Sequence, residues 1–451
     1  MCYAAVSTHL VVNGSLTRPL PVLCSVRQGC PMSPLLLSLY LEPLCRSIIA
    51  DRLIHGFVRS PYRVKLLAYA GDVTLFCSSP GEVCRAVAHV RRFCASSGAS
   101  VSWTKSSGSW VGLWRRTPSV FAGPTWSLEP PRYLGVPLSC ARSSSIFWSQ
   151  RVSKLRDCVW SWNALDLSVF SWARVCNVYL ASRLGYFLQV LPCSRTQIAR
   201  IHRVFATFVW KSTYERTIRT NLFHYFANGG LHLSHMFARQ LVWRVAFLRE
   251  VQHPFLAHCV ATFLKDELSG VVVSTVYDTP LFIWGFYKEV ASAFHLLLPT
   301  FSLEFIYGSS RRKLYWAIVD LLCPVPLYRS LFAADPGRDV LVRVMRMPLE
   351  FKVKDFFFRL HTGTLPVRVW LRDRGFWVAF NNFNCKLCPE EEKSIMRFCL
   401  VGTLSPFGTL FSASFVGTST CLRGPYGFCR LGRMRRSLGI PWFWLVCTPY
   451  G

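Results

Sequence analysis

Acidic side chains are scarce in this 451-residue chain. It has 23 Asp and Glu residues against 52 Lys and Arg residues, a formal net charge of +29. Such an imbalance favours a polyanionic partner, either a nucleic acid or an anionic membrane surface. Because 51% of the residues are apolar and 15% are aromatic, the charge is spread through a chain that can build cores. This composition argues against a disordered basic tail.

Other absences narrow the class of protein. The 19 cysteines are an odd number without regular spacing, which argues against a disulfide framework. We therefore expect an intracellular protein, nuclear or cytoplasmic rather than secreted. The sequence has no signal-peptide pattern at its start and no apolar run near the roughly 18 residues of a membrane span. It also lacks a basic amphipathic helix at a terminus, so a nucleic acid is favoured over a membrane as the partner.

Residues 65–76, with the sequence KLLAYAGDVTLF, indicate a strand, a tight turn and a second strand. Asp72 would lie at the apex of this hairpin. A carboxylate there can bind a divalent cation that in turn binds a phosphate. The alternative is an ordinary hairpin in which the Asp forms an Asx-type turn. The stretch alone leaves both interpretations open.

Two further segments precede this hairpin. Asn13 and Gly14 lie between apolar runs and predict a hairpin within residues 10–22. Residues 27–34, with the sequence RQGCPMSP, precede a Leu-rich helix for which Ser33 is the expected N-cap. A well-capped helix explains this segment by itself. The chemistry of Arg27, Gln28 and Gly29 also suits contact with a phosphate or a base edge.

The order of these segments resembles the palm of a reverse transcriptase from a LINE-type (non-LTR) retrotransposon. Residues 27–34 come before residues 68–73, and they are followed by Ser97-Gly98-Ala99, Lys105-Ser106 and Tyr133-Leu134-Gly135. The joint match covers roughly residues 10–140. It implies an α+β fold: a partial palm of antiparallel hairpins and helices, then an all-helical thumb and C-terminal region.

The resemblance also implies a function and its residues. The activity would be RNA-directed DNA polymerisation with Mg²⁺, an RNA template and a DNA primer. The implied roles are nucleotide and template binding by Arg27, Gln28, Gly29 and Tyr69, catalysis by Asp72 and Lys105, and a primer grip by Tyr133, Leu134 and Gly135. Asp72 would be a weak Mg²⁺ ligand.

The chain departs from the family pattern at the metal site. The family's turn carries two acidic residues, and Gly71 occupies the first position. Another metal-binding Asp of the family lies upstream of residues 27–34, and we expect this chain to begin too late to contain it. Up to residue 140 the acidic residues are Glu42, Asp51, Asp72, Glu82 and Glu129. One carboxylate cannot hold a pair of Mg²⁺ ions. We expect a catalytically inactive polymerase by descent or, alternatively, a non-catalytic remnant that binds RNA or DNA.

By their position in the chain, residues 141–235 resemble the family's thumb. Ser194 is the expected N-cap of a helix whose apolar face carries Ile198, Ile201, Phe205 and Phe208. Its other side carries Arg195, Arg200 and Arg203, which form either a solvated basic face or a contact with a nucleic-acid backbone. For His202, His232 and His235 we favour structural roles over metal ligation, because no Cys or carboxylate lies at ligand spacing.

The remaining segments are assigned more coarsely. Residues 236–384 are expected to form a helical connecting region. Residues 385–400 resemble the family's zinc knuckle through Cys385, Cys388 and Cys399, but no His follows His361, so the fourth zinc ligand is missing. A weak zinc site stays open. Residues 401–451 contain no Asp, Glu or Lys and are expected to be a disordered or frame-shifted tail.

Overall fold

The computed structural model describes residues 7–21, 30–110, 121–127, 132–137, 141–162, 165–275, 282–326, 328–329, 340–375 and 391. The chain divides into two compact units, Met1–Cys140 and Ala141–Gly451. Each unit is described separately.

The first unit combines short strands with two long helices. The helices are α1 (Ser33–Ala50) and α2 (Pro80–Ser97), and a 3₁₀ turn covers Trp103–Lys105. The strands are β1 (Ser7–Thr8), β2 (Val11–Val12), β3 (Ser15–Leu16), β4 (Leu20–Pro21), β5 (Phe57–Arg59), β6 (Tyr62–Val64), β7 (Leu66–Tyr69), β8 (Asp72–Leu75), β9 (Ser107–Ser109), β10 (Thr125–Ser127), β11 (Arg132–Tyr133) and β12 (Val136–Pro137). Within the described residues, all of these strands pair two at a time.

The strand pairs confirm the hairpin predicted within residues 10–22 and depart from one expectation. Strands β2 and β3 pair across Asn13 and Gly14, whose φ angles of +50° and +83° suit a two-residue hairpin turn. The other described strand pairs are antiparallel, as the palm resemblance predicted, but β9 and β10 pair in parallel. The parallel pair is possible because residues 110–124 separate the two strands, which leaves room for a crossover instead of a tight turn.

The core of the first unit lies between α1 and α2. Leu44, Ile48, Ile54 and Ala86 are buried there, and Leu66 of β7 is among the partly buried residues that pack against them. Helix α1 begins one residue earlier than predicted, with Met32 at the N-cap position and Ser33 already inside the first turn. The prediction of Ser33 as the N-cap is therefore wrong. The backbone N–H groups of a first helical turn have no partner within the helix, and proline has no N–H to leave unpaired. Pro34 is therefore tolerated at the second helical position as well as at the first.

The second unit is helical. Its helices are α3 (Ala141–Trp160), α4 (Val169–Val175), α5 (Ser182–Val190), α6 (Arg195–Trp210), α7 (Met236–Glu250), α8 (Pro254–Leu264), α9 (Gly285–Leu297), α10 (Leu303–Gly308), α11 (Arg311–Leu322), α12 (Val340–Arg346), α13 (Phe351–His361) and α14 (Arg368–Asp373). A π-helical turn, Cys176–Ala181, joins α4 to α5. The two units together give the mixed α and β content that the sequence predicted.

Helix α6 forms as its sequence pattern predicts. The Ser194 hydroxyl caps it by accepting a hydrogen bond from the Gln197 N–H. Ile198, Ile201, Phe205 and Phe208 are all buried. This face holds α6 in the core of the second unit and leaves the arginines of the opposite side in solvent.

Candidate functional site

The predicted hairpin at residues 65–76 is formed by β7 and β8. Tyr69 pairs with Asp72, and the turn between them is Ala70-Gly71, with Ala70 at φ +49°. Asp72 is exposed, and its side chain makes no hydrogen bond or ion pair with the residues that the structure describes. Tyr69 is 65% exposed. The turn thus presents one carboxylate and one phenol ring to solvent.

Gly71 occupies the turn position next to Asp72. A Cβ atom at Gly71 would lie 3.9 Å from Leu37 Cδ2, an ordinary van der Waals distance. The φ angle of Gly71 lies outside the left-handed region in which side chains are strained. An aspartate would therefore fit at this position, so the absence of a second carboxylate is a property of the sequence and is not imposed by the fold.

Other carboxylates of the first unit are committed to local structure. The Glu42 carboxylate accepts a hydrogen bond from Arg46 Nε at 2.7 Å. Asp51, at the C-terminus of α1, accepts hydrogen bonds from Arg85 Nε at 2.6 Å and contacts His89 Nε2 at 2.8 Å. These contacts hold the pKa of Asp51 well below its usual range, with the His89 contact contributing most.

Glu82 is a buried structural carboxylate at the start of α2. It accepts hydrogen bonds from the Ser78 N–H at 2.9 Å and the Gly56 N–H at 3.3 Å, and it contacts His55 Nδ1 at 2.8 Å. The hydroxyl of the N-cap residue Ser79 accepts from the Glu82 N–H, so Glu82 is tied to both residues that precede the helix. Burial favours protonation, but hydrogen bonds from Ser78, His55 and Gly56 outweigh it and lower the pKa of Glu82 to about 2.

The described donor set does not fit a pair of Mg²⁺ ions. Within the parts of the chain that the structure describes, no three His, Cys, Asp or Glu side chains converge in a way that could hold a metal ion. Asp72 stands alone at its turn, and Gly71 offers no ligand. A two-metal site needs several carboxylates around ions about 3.5–4 Å apart.

The other residues that the palm resemblance implies are placed as follows. Lys105 is the exposed last residue of the 3₁₀ turn. Tyr133, Leu134 and Gly135 form the β11–β12 hairpin, in which Leu134 and Gly135 have φ angles of +49° and +78°. The predicted sites at Arg27, Gln28, Gly29, Cys385, Cys388 and Cys399 lie outside the described residues. Nothing in the described residues supports the zinc expectation.

The arginines of α6 differ in what holds them. All three are exposed. Arg195 stacks on the Phe237 ring, with its guanidinium carbon 4.5 Å from the ring centroid. Arg203 is committed to the Glu215 carboxylate and the Thr213 carbonyl. Arg200 makes no hydrogen bond or ion pair with any described residue, so its charge is available to an external anion.

The structural roles predicted for two histidines are confirmed. His202 Nε2 accepts a hydrogen bond from the Met236 N–H, and His235 Nδ1 accepts one from the Ala238 N–H, each at 3.0 Å. Burial lowers the pKa of His202 far below its ordinary value and that of His235 to about 4. Both rings are therefore neutral acceptors that fix the start of α7.

The structure gives the segment Gly229–Leu233 a role that the sequence did not reveal. A Cβ atom at Gly229 would lie 2.4 Å from Tyr328 Cβ, and one at Gly230 would lie 2.1 Å from the His224 carbonyl oxygen. Both glycines are thus required by close approach. The only sequence signal was the Gly-Gly pair, and its packing partners cannot be read from sequence spacing.

Comparison with known proteins gives a family match for the first unit. Residues 2–138 match the model of the family described as reverse transcriptase (RNA-dependent DNA polymerase). This match lies in the first unit, and together with the relative described next it confirms the recognition, from the motifs, of a likeness to a non-LTR retrotransposon reverse transcriptase.

A curated relative extends the likeness beyond the first unit. The chain is 35% identical over 218 residues to the "Transposon TX1 uncharacterized 149 kDa protein" of Xenopus laevis. The alignment covers 46% of this chain and 16% of the relative, so the chain spans about a sixth of the relative's length. Among the described residues, no helix is both long and apolar enough to cross a membrane.

Proposed function

We propose that this chain is a reverse-transcriptase remnant that binds an RNA template and a DNA primer but does not join nucleotides. The observation that carries the proposal is the β7–β8 turn, where Asp72 is the exposed carboxylate and Gly71 takes the place of the family's first acidic residue. By descent the reaction is attack of a primer 3′-hydroxyl on the α-phosphate of a deoxynucleotide.

The family roles fall on residues of this chain as follows. Arg27, Gln28 and Gly29 would position the nucleotide or template, and Lys105 would neutralise or protonate the leaving pyrophosphate. Asp72 would assist a metal ion without a second carboxylate. Loss of a ligand from a charge-stabilising site raises the barrier by several kcal/mol, so the expected polymerase activity is close to nil.

Retained nucleic-acid binding is argued from charge and exposure. The chain carries a net charge of +29, and α6 presents Arg195, Arg200 and Arg203 in solvent. Because Arg203 is already paired with Glu215, Arg200 is the stronger candidate for a phosphate contact. Each phosphate neutralised on a duplex contributes about −0.9 to the slope of log affinity against log salt concentration.

A salt titration tests this proposal. Filter binding of an RNA–DNA template–primer duplex is measured between roughly 50 and 200 mM salt. Affinity should fall steeply as the salt concentration rises, because the release of counterions from the duplex on binding becomes less favourable. Arg200→Gln should reduce the magnitude of the slope of log affinity against log salt concentration by about 0.9. Arg203→Gln is the control, because it removes a guanidinium that is already paired with Glu215, and it should change the slope less. Affinity that stays flat across this salt range would contradict the proposal.

A further inference from the structure

His232 is held in an unusual backbone conformation in the second unit. Its φ angle is +56°, in the left-handed region that non-glycine residues seldom occupy. Asn177 fixes the segment from both ends, since its Nδ2 donates to the His232 carbonyl at 2.8 Å and its Oδ1 accepts from the Ser234 N–H at 2.9 Å. Asn177 itself lies in the π-helical turn, an irregularity found often at functional sites. Two rare backbone features thus meet at His232, whose main chain is held by Asn177.

That imidazole belongs to an aromatic cluster with Tyr225 and Trp316. The Trp316 and His232 ring centroids are 4.9 Å apart with an interplanar angle of 15°, and the Trp316 and Tyr225 centroids are 3.6 Å apart at 29°. Tyr225 and His232 are also nearly parallel, with centroids 5.5 Å apart. All three side chains are half-buried, so part of this near-parallel aromatic surface reaches solvent.

Three arginines surround the cluster. Arg312 lies one turn before Trp316 on α11, so both project from the same helix face. Arg239 is in the first turn of α7 and donates to the Ser234 hydroxyl at 2.8 Å. Arg174 is the second-last residue of α4, two positions before the π-helical turn begins at Cys176. Burial lowers the pKa of His232, and the positive charges of Arg312, Arg239 and Arg174 lower it further.

These guanidinium groups differ from others of the second unit. Arg203 and Arg219 share Glu215, and Arg249 and Arg311 share Glu250. By contrast, Arg174, Arg239 and Arg312 form no ion pair within the part of the chain that the structure describes. Asp320 approaches the cluster, but its carboxylate lies toward His224, 3.7 Å from Nδ1. The surface therefore keeps an excess of positive charge beside the half-buried aromatic cluster.

This chemistry fits an unpaired nucleotide better than a duplex. A duplex hides its base faces and presents only phosphates and groove edges to a protein. Proteins that bind single strands combine aromatic platforms for the bases with cationic side chains for the backbone. Stacking also tolerates any base, because every base has a π-face.

We propose that Tyr225, His232 and Trp316, together with Arg174, Arg239 and Arg312, form a binding site for single-stranded nucleic acid. At least one base stacks on the aromatic surface, and the arginines contact the neighbouring phosphates. The inference rests on the proposed function in that nucleic acid is the ligand of this chain. The proposed single-strand site is a second nucleic-acid contact, and its residues lie apart in sequence from the arginines of α6.

The test compares single strands with duplexes on the full-length chain. Fluorescence anisotropy is measured for a labelled RNA of about 12 nucleotides, for DNA of the same sequence and for the RNA–DNA duplex. Trp316→Leu should weaken single-strand binding about 5- to 150-fold and leave duplex binding nearly unchanged. Trp284→Leu is the matched control, because Trp284 is 69% exposed and lies outside the cluster.

The charge is tested in the same assay. Arg312→Gln should reduce the magnitude of the single-strand salt slope by about 0.7. Arg311→Gln is its control. It removes the same charge from the neighbouring residue, whose guanidinium is already paired with Glu250. Loss of binding to either the RNA or the DNA strand in Trp316→Leu supports the site, and comparing the two strands identifies its preferred ligand.

Several results would overturn the inference. If Trp316→Leu and Trp284→Leu bind single strands equally well while salt-dependent duplex binding persists, this site fails and the proposed function survives. If the unaltered chain binds no nucleic acid, both fail. Photocrosslinking of 5-iodouridine RNA to the unaltered chain, read by mass spectrometry, is independent of whether variants fold. Adducts should fall on peptides with Tyr225, His232 or Trp316, and adducts confined to other peptides would refute the site.

Discussion

Replacing Arg244 should destabilise the second unit strongly. Arg244 is fully buried on α7 and donates to the carbonyls of Leu188 and Gln189 at 2.9 Å and of Leu191 at 3.1 Å. Its Nη2 also bonds the Glu289 carboxylate of α9 at 2.8 Å. One side chain therefore satisfies the C-terminal end of α5 and joins it to two other helices.

The magnitude follows from what Arg244→Met leaves behind. Glu289 would remain in a partly buried site without its partner, and burial already raises its pKa. The carboxylate can escape by taking up a proton, which at pH 7 against an ordinary pKa of 4.5 costs about 3 kcal/mol. The carbonyls lose hydrogen bonds worth about 1 kcal/mol each, partly offset by the apolar packing of Met. We expect the free energy of unfolding to fall by about 3–5 kcal/mol.

Urea denaturation of the full-length chain measures this loss, and its pH dependence tests the cause. An unpaired Glu289 has a raised folded pKa, so its penalty is absent below pH 4.5 and grows as the pH rises. The deficit of Arg244→Met should therefore shrink by about 2–3 kcal/mol between pH 7 and pH 5.

Two variants complete the test of Arg244. Adding Glu289→Gln to Arg244→Met should recover most of the charge-dependent loss, because the amide keeps an acceptor for the Cys193 N–H without a charge. Arg311→Met removes an exposed guanidinium and should cost less than about 1 kcal/mol. An Arg244→Met deficit below about 1 kcal/mol, or one that does not vary with pH, would refute the reasoning.

Three further substitutions follow from the structure. The pKa of Glu82 is lowered to about 2, so its contribution is present above pH 4.5 and is lost as the pH falls toward 2. Glu82→Gln should lower the free energy of unfolding at neutral pH by up to about 3 kcal/mol and remove that part of its decrease in acid. If the free energy of unfolding of the variant fell with pH as steeply as that of the unaltered chain, this would be contradicted. Gly230→Ala places a methyl group against the His224 carbonyl and should cost at least about 3 kcal/mol in urea denaturation, whereas Gly185→Ala, in open space on α5, should stabilise by up to about 1 kcal/mol. Gly71→Asp should leave the thermal midpoint unchanged and give roughly millimolar Mn²⁺ affinity by electron paramagnetic resonance, while equal Mn²⁺ binding by the unaltered chain would contradict the account of the turn.

Features set by local sequence were predictable. The Ser194 cap and the buried face of α6 follow from helical periodicity and capping chemistry, and both are observed. The Asn13-Gly14 and Ala70-Gly71 turns follow from alternating apolar runs around small residues. Such elements can be read from sequence because the interactions that define them span only a few residues.

Features that depend on distant residues were not predictable. Gly230 is needed because a carbonyl of another turn lies against it, and His232 is fixed by Asn177, 55 residues away in sequence. The cluster of Tyr225, His232 and Trp316 joins residues from a turn, a loop and a helix. The sequence shows an apolar helix and a Gly-Gly pair there, and neither pattern indicates that their aromatic rings meet.

Primer extension most directly tests the claim that this chain binds template and primer without polymerising. A labelled DNA primer on an RNA template is incubated with deoxynucleotides, Mg²⁺ or Mn²⁺, and full-length chain at a concentration that saturates binding. The account predicts no product longer than the primer. Extension that requires the added metal ion and disappears in Asp72→Asn would contradict it.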